Sequence, residues 1–183
     1  MGLDMYLTKK TYVKNWDHMT AERRHEITVK RGGEIRHDIK PERISEIVEQ
    51  VAYWRKANAI HKWFVDNVQD GKNECQESCV TVKQLRTLVE LCQEVLATVE
   101  TVDGLVNTGT QYANGLVVEL TQPGKVVAQP EIAKKILPTQ GGFSFGGTNY
   151  DEFYLDDLHD TVKQLEPLLD ENGDGYFYYH ASW

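Results

Sequence analysis

Cysteine is scarce in this chain: Cys75, Cys79 and Cys92 are too few and too irregularly spaced for a disulfide framework. Free thiols in a reducing compartment are the expectation. Long apolar runs are missing too. No stretch approaches the roughly 18 to 20 consecutive apolar residues that a membrane helix requires, and Met1 to Lys10 has no basic segment leading into an apolar one. The sequence therefore predicts a cytoplasmic protein with no membrane association. With only five prolines and no repeat, linker or low-complexity segment, one domain over residues 1–183 is the expected organisation.

Catalytic and metal signatures are also lacking. There is no Gly-x-Ser-x-Gly elbow, no His-Glu-x-x-His helix, no Walker ending and no Gly-x-Gly-x-x-Gly turn. Cys75 and Cys79 have no paired ligands at zinc spacing. Asp170 to Gly175 begins like a calcium loop, but its twelfth position is Ala181 rather than a bidentate Glu. No metal and no cofactor are expected, and the balance of motifs leans away from an enzyme.

Charge is present, and it is unevenly spread. Residues 1–72 carry 14 Lys and Arg against 11 Asp and Glu, whereas residues 73–183 carry 6 against 17. The second half thus holds the whole net charge of −8 and more. Nine carboxylates lie between Asp151 and Asp174 with Lys163 as the one cation among them. Such a patch repels nucleic-acid phosphate and attracts basic protein surfaces, so direct nucleic-acid binding is not expected.

The apolar pattern predicts an α+β fold: a small antiparallel or mixed sheet packed against a long central helix and two further helices. Gly2 to Val13 reads as a strand, and His25 to Lys30 with Glu34 to His37 as a hairpin around Gly32-Gly33. Ile44, Ile47, Val51, Trp54, Asn58, His61, Val65 and Val68 fall on one stripe at 100° per residue, which predicts a central helix from about Pro41 to Val68. Thr81 caps a helix carrying Leu85, Leu88, Val89, Cys92, Val95, Leu96 and Val99. Turn residues such as Asn114-Gly115 and Pro123-Gly124 predict a β-hairpin excursion at about 101–129. Pro130 to Leu137 reads as a short helix. Asp151 or Asn149 caps a last helix that buries Leu155, Leu158, Val162, Leu165 and Leu169. Tyr176 to His180 returns as a strand.

Two sets of residues stand out. The first lies in Tyr53 to Trp63, which packs aromatic, basic, amide and imidazole groups closely together. Asn58 and His61 share the predicted apolar stripe, so each needs a hydrogen-bond partner. One reading makes His61 a general base or anion contact, with Arg55 and Asn58 as polar contacts and Phe145 and Tyr150 as walls of a pocket for a small molecule or nucleotide. The other has Asn58 and His61 bonding neighbouring segments and fixing how the helix docks. The glycine-rich loop Gly141 to Gly147 belongs to the same question, since its glycines permit close approach and its Phe143 and Phe145 either stack on a ligand or enter the core. The second set is the acidic face of the last helix: Asp151, Glu152, Asp156, Asp157 and Asp160, candidates for contact with a basic partner.

The opening Met1-Gly2-Leu3-Asp4-Met5-Tyr6-Leu7, the Tyr53 to Asn67 segment, Leu137-Pro138-Thr139-Gln140 through Tyr154, and the closing Tyr178 to Trp183 together resemble a family of small proteins encoded by bacteriophages, prophages and other mobile elements. The resemblance covers most of the chain, least securely between Thr101 and Gln129, and it transfers no catalytic residues. It implies an accessory protein acting in a bacterial host cell. The expected function is then non-enzymatic binding of a host protein with a basic surface, as in inhibition of a defence system such as a CRISPR nuclease, through the acidic face. A ligand-binding or enzymatic pocket around Asn58 and His61 is the alternative.

Overall fold

The computed structural model describes residues 2–113, 116–170 and 175–183. The chain runs β1 (Asp4–Tyr12), β2 (Lys30–Arg31), β3 (Glu34–Ile35), β4 (Glu46–Arg55), α1 (Asn58–Val68), β5 (Ser78–Val80), α2 (Val82–Thr98), β6 (Thr101–Ala113), β7 (Leu116–Val127), α3 (Pro130–Ile136), α4 (Glu152–Leu165) and β8 (Gly175–Ser182). In β1, Met5 and Leu7 alternate with Asp4, Tyr6 and Thr8, so one face is apolar and the other polar and aromatic. An antiparallel sheet is built around it in the order β4-β1-β8-β5. The register places Met5 between Trp54 and Ala181, and Leu7 between Ala52 and Tyr179, all of them buried. The helices cover this face, and Phe64, Leu85, Leu88, Cys92, Leu158 and Leu165 complete the core. Each such large side chain, fully withdrawn from water, stabilises the fold by roughly 1.5 to 3 kcal/mol. The architecture is α+β.

One expected element is replaced. Residues 41–68 do not form a long central helix: Pro41–Arg43 is a single 3₁₀ turn, Glu46–Arg55 is strand β4, and the helix begins only at Asn58. The helical stripe through Ile47, Val51 and Trp54 coexists with a strand composition, and β1 supplies the pairing partner that decides between them. The first half of β4 is exposed on both faces, Ile47 and Val48 included, so no two-residue alternation marks it. Ala59, in the first turn of α1, is buried.

The remaining elements follow local chemistry closely. Gly32 and Gly33, both at positive φ, turn the short β2-β3 hairpin, which stays outside the main sheet. Thr81 and Gln84 close a capping box on α2, an arrangement worth about 1 kcal/mol. Asp151 caps α4 by accepting from the N–H groups of Phe153 and Tyr154. Strands β6 and β7 pair only with each other; the expected Asn114-Gly115 turn between them lies outside the described residues. The base of this hairpin docks on the start of α4, where Val127 N donates to Tyr150 O over 2.9 Å and Lys125 N to the Glu152 carboxylate over 2.8 Å. Gly124 permits that approach: a Cβ there would lie 2.8 Å from Val106 and 2.9 Å from the Glu152 carboxylate.

Candidate functional site

At the end of β4 the backbone turns sharply into α1. Lys56 takes a left-handed conformation with φ 62°, its N–H bonded to Leu3 O at 2.8 Å. Asn58, at the first position of α1, then reaches across to the glycine-rich loop. Its amide nitrogen donates to the carbonyls of Phe145 (3.2 Å) and Gly147 (2.7 Å), and its oxygen accepts from Gln140 N (3.0 Å). One side chain therefore ties both ends of the loop to α1. Gly146 is required there, since φ is +92° and a Cβ would stand 3.1 Å from that of Lys56.

His61 sits below this clamp and is fully buried. Its Nε2 lies 3.0 Å from Asn73 Oδ1 and its Nδ1 2.7 Å from the Tyr179 hydroxyl. The amide oxygen can only accept, so the network assigns the proton to Nε2 and makes Nδ1 the acceptor of the Tyr179 O–H. Burial lowers the imidazole's pKa against the opposing hydrogen bond to Asn73, which keeps the ring neutral. Phe145 and Trp183 pack edge-on against it, each with its centroid at 5.3 Å. Both nitrogens are used and no ring atom faces open space. Phe145 is likewise buried, and the Tyr150 hydroxyl accepts from Thr139 N at 3.0 Å while its ring rests on Tyr154.

An open cleft of about 740 Å³ lies above this layer, between the end of β4, the glycine-rich loop, the middle of the β6-β7 hairpin and the start of α4. Arg55, Lys56 and Asn58 form one side, Asn107, Thr108 and Glu119 of the hairpin another, and Asp151, Phe153, Asp156 and Asp157 of α4 the third. Of the residues read from sequence, Arg55, Asn58, Asp151, Asp156 and Asp157 thus meet at one opening. His61, Phe145 and Tyr150 do not: they form the packing beneath it. Glu152 is held by Lys125 N, and Asp160 accepts from the Gln164 side chain at 2.8 Å.

The electrostatics of the cleft are dominated by carboxylates. Burial, reinforced by Asp160, Asp156 and Asp151, pushes the Asp157 carboxyl up to about 7. Burial also raises Asp151, against the backbone N–H groups that favour its charged form. Among the described residues the Asp157 carboxylate has no hydrogen-bond or ion-pair partner, and Lys56 has no carboxylate partner. Three or more His, Cys, Asp or Glu side chains do not converge on a metal-sized point anywhere among the described residues. Among the described residues, no hydroxyl or thiol lining the cleft is hydrogen-bonded to a histidine or carboxylate side chain. The arrangement is suited to holding a cation or polar group by charge and hydrogen bonding.

Sequence spacing did not reveal Lys56, Glu119, Asn107 or Phe153 as members of this site. Glu119 did carry a signal, being the one charge between Gly104 and Gln122. No described helix is long and apolar enough to cross a membrane. The chain matches no family model, no curated protein and no solved structure.

Proposed function

We propose that this is a non-enzymatic binding protein that receives a basic group of a protein partner in the cleft between the β6-β7 hairpin and α4. The observation that carries this reading is Asp157, a partly buried carboxyl that lines an open cleft, is pushed up to about 7 and has no cation of its own among the described residues. A Lys or Arg side chain entering the cleft supplies that charge, and Asp151, Asp156 and Glu119 surround it. The volume lies within the roughly 300 to 1,000 Å³ range of ligand sites. The resemblance to phage-encoded accessory proteins makes a host defence protein with a basic nucleic-acid channel the partner class, acting in the bacterial cytoplasm. Charge-steered encounter of this kind weakens with salt.

The test is capture of partners from bacterial lysate at low and high salt by wild type and by an Asp156→Asn/Asp157→Asn variant, followed by affinity measurement on whatever is retained. Binding that falls with salt and drops at least about tenfold in the variant supports the reading. A partner bound equally by both proteins removes it.

A second reading, a small amine-bearing molecule in the same cleft, is favoured by one observation. Both Lys56 and Ser144 on the rim are non-glycine residues at positive φ, a local strain that concentrates at ligand sites. Saturable binding of a metabolite with no retained protein would select it.

A further inference from the structure

Cations and carboxylates line the cleft from different sides without pairing across it. Two cations, Arg55 and Lys56, stand against four carboxylates, Glu119, Asp151, Asp156 and Asp157. Arg55 leans toward Asp4, its Nε 4.0 Å from the carboxylate. The Lys56 ammonium has neither an ion pair nor a hydrogen bond among the described residues.

The place of Lys56 is nevertheless fixed by its surroundings. Its backbone sits at φ 62°, with the N–H bonded to Leu3 O. Its stem runs along the backbone of two glycines: a Cβ at position 146 would stand 3.1 Å from Lys56 Cβ and 3.6 Å from Cδ, and one at position 2 would stand 3.5 Å from Cε. The stem is thus laid against the glycine-rich loop, and the charge at its tip is left for something that enters. On the other side, Phe153 and Asp157 are one turn apart on α4 and share a face, with Asp156 beside them. Phe153 is 45 % exposed. An aromatic surface next to an unpaired carboxylate fits a guanidinium or the stem and ammonium of a lysine.

Charge balance narrows the ligand further. A molecule that carries only a cation leaves Lys56 unpaired and adds a like charge to its cleft. One that carries only an anion meets four carboxylates, and a phosphate brings more negative charge than one ammonium offsets. A ligand with a cation for α4 and a single carboxylate for Lys56 satisfies both sides. We propose that the ligand unit of this cleft is a lysine or arginine residue bearing a free α-carboxylate, its side-chain cation against Asp157 and Phe153 and its carboxylate on Lys56. The C-terminal residue of a protein and the free amino acid share this chemistry. The proposal rests on the acidic-cleft function above and adds to it the anion that Lys56 selects.

The experiment is titration calorimetry of the whole chain with a short blocked glycine peptide ending in arginine, the same peptide amidated at its C-terminus, the same peptide ending in norleucine, and L-arginine. Wild type is expected to bind the free-acid arginine peptide, L-arginine or both, and to bind the amide and the norleucine peptide at least about tenfold more weakly. Binding of L-arginine alone identifies a small-molecule ligand, and binding of the peptide identifies a protein C-terminus. Lys56→Met keeps most of the stem and removes the charge, so it should abolish the preference for acid over amide. Lys56 is exposed and bonds the fold through its backbone N–H, and thermal melts check that the variant is folded. Asp157→Asn should instead weaken acid and amide alike and leave the preference between them. Equal binding of acid and amide, or an acid preference that survives in folded Lys56→Met, would overturn the proposal while leaving the cleft a site for a basic group. Absence of binding of both free-acid arginine probes to folded wild type would overturn it too, and salt-dependent capture from lysate then judges the acidic cleft by itself.

Discussion

His61 Nδ1 accepts the hydroxyl proton of Tyr179 across 2.7 Å, joining α1 to the last strand between residues 118 apart in sequence. The Tyr179 ring also stacks on Phe64, 3.9 Å between centroids and 6° from parallel. Tyr179→Phe keeps the stack and deletes the donor, leaving a buried nitrogen without a partner, at a cost of about 1 to 3 kcal/mol. His61→Phe alone strands the Tyr179 hydroxyl and the Asn73 oxygen. Combining the two substitutions removes both members of the pair, so the double variant should be more stable than the sum of the single losses predicts. Urea denaturation of the four proteins measures the coupling, and strict additivity would show the bond to contribute nothing.

Asn58 makes three bonds with one short side chain, and all three go to the backbone of the glycine-rich loop. Asn58→Ala should therefore cost about 2 to 4 kcal/mol, a large part of the 5 to 15 kcal/mol that typically holds a domain together. The loss should be local first. Limited proteolysis is expected to find new cleavage between residues 139 and 149 under conditions where wild type resists. Asn58→Asp should be no better, because a carboxylate cannot donate to the carbonyls of Phe145 and Gly147. If Asn58→Ala unfolds at the wild-type denaturant concentration, the Leu3 N to Ser144 O bond and the buried Phe145 ring suffice to hold the loop.

Where elements announce themselves by local chemistry, the sequence is a faithful guide. Met5 and Leu7 mark β1, Thr81 marks α2, Asp151 marks α4, and the tyrosine-rich alternation marks β8 as its partner. Strand β4 was illegible for a physical reason. Half of it is exposed on both faces, and its apolar residues fit a helical stripe until β1 is there to pair with. The cleft was only partly legible, since it joins Lys56, Glu119 and Asp157, which no spacing rule connects. The polarity of Asn58 and His61 was visible from the start. What the chain could not display was that their partners, Gly147 and Tyr179, come from distant segments and consume the hydrogen-bonding capacity a ligand would need.

Asp157 and His61 give the fold opposite responses to acid, and this makes the cleft testable without a partner. The Asp157 carboxyl rises from its ordinary 3.8 to about 7 in the folded protein. Between those values the folded state therefore holds more protons than the unfolded one, and stability increases as pH falls through 7. His61 is depressed instead, so below its ordinary 6.5 the unfolded chain takes up a proton that the buried ring refuses, and stability decreases. The two slopes partly cancel in wild type. Asp157→Asn removes one of them: it should raise the melting temperature at pH 8, by an amount on the order of 1 kcal/mol in stability, and the gain should shrink steadily as pH falls below 7, vanishing only near the ordinary carboxyl value of 3.8. The variant's own profile should then show the unopposed loss of stability on acidification below about 6.5 that His61 predicts. Melts of both proteins from pH 5 to pH 8 decide the matter. A gain that is the same at every pH would mean that Asp157 is solvated in the folded state, and the cleft would then lose the uncompensated charge on which its affinity for a cation rests.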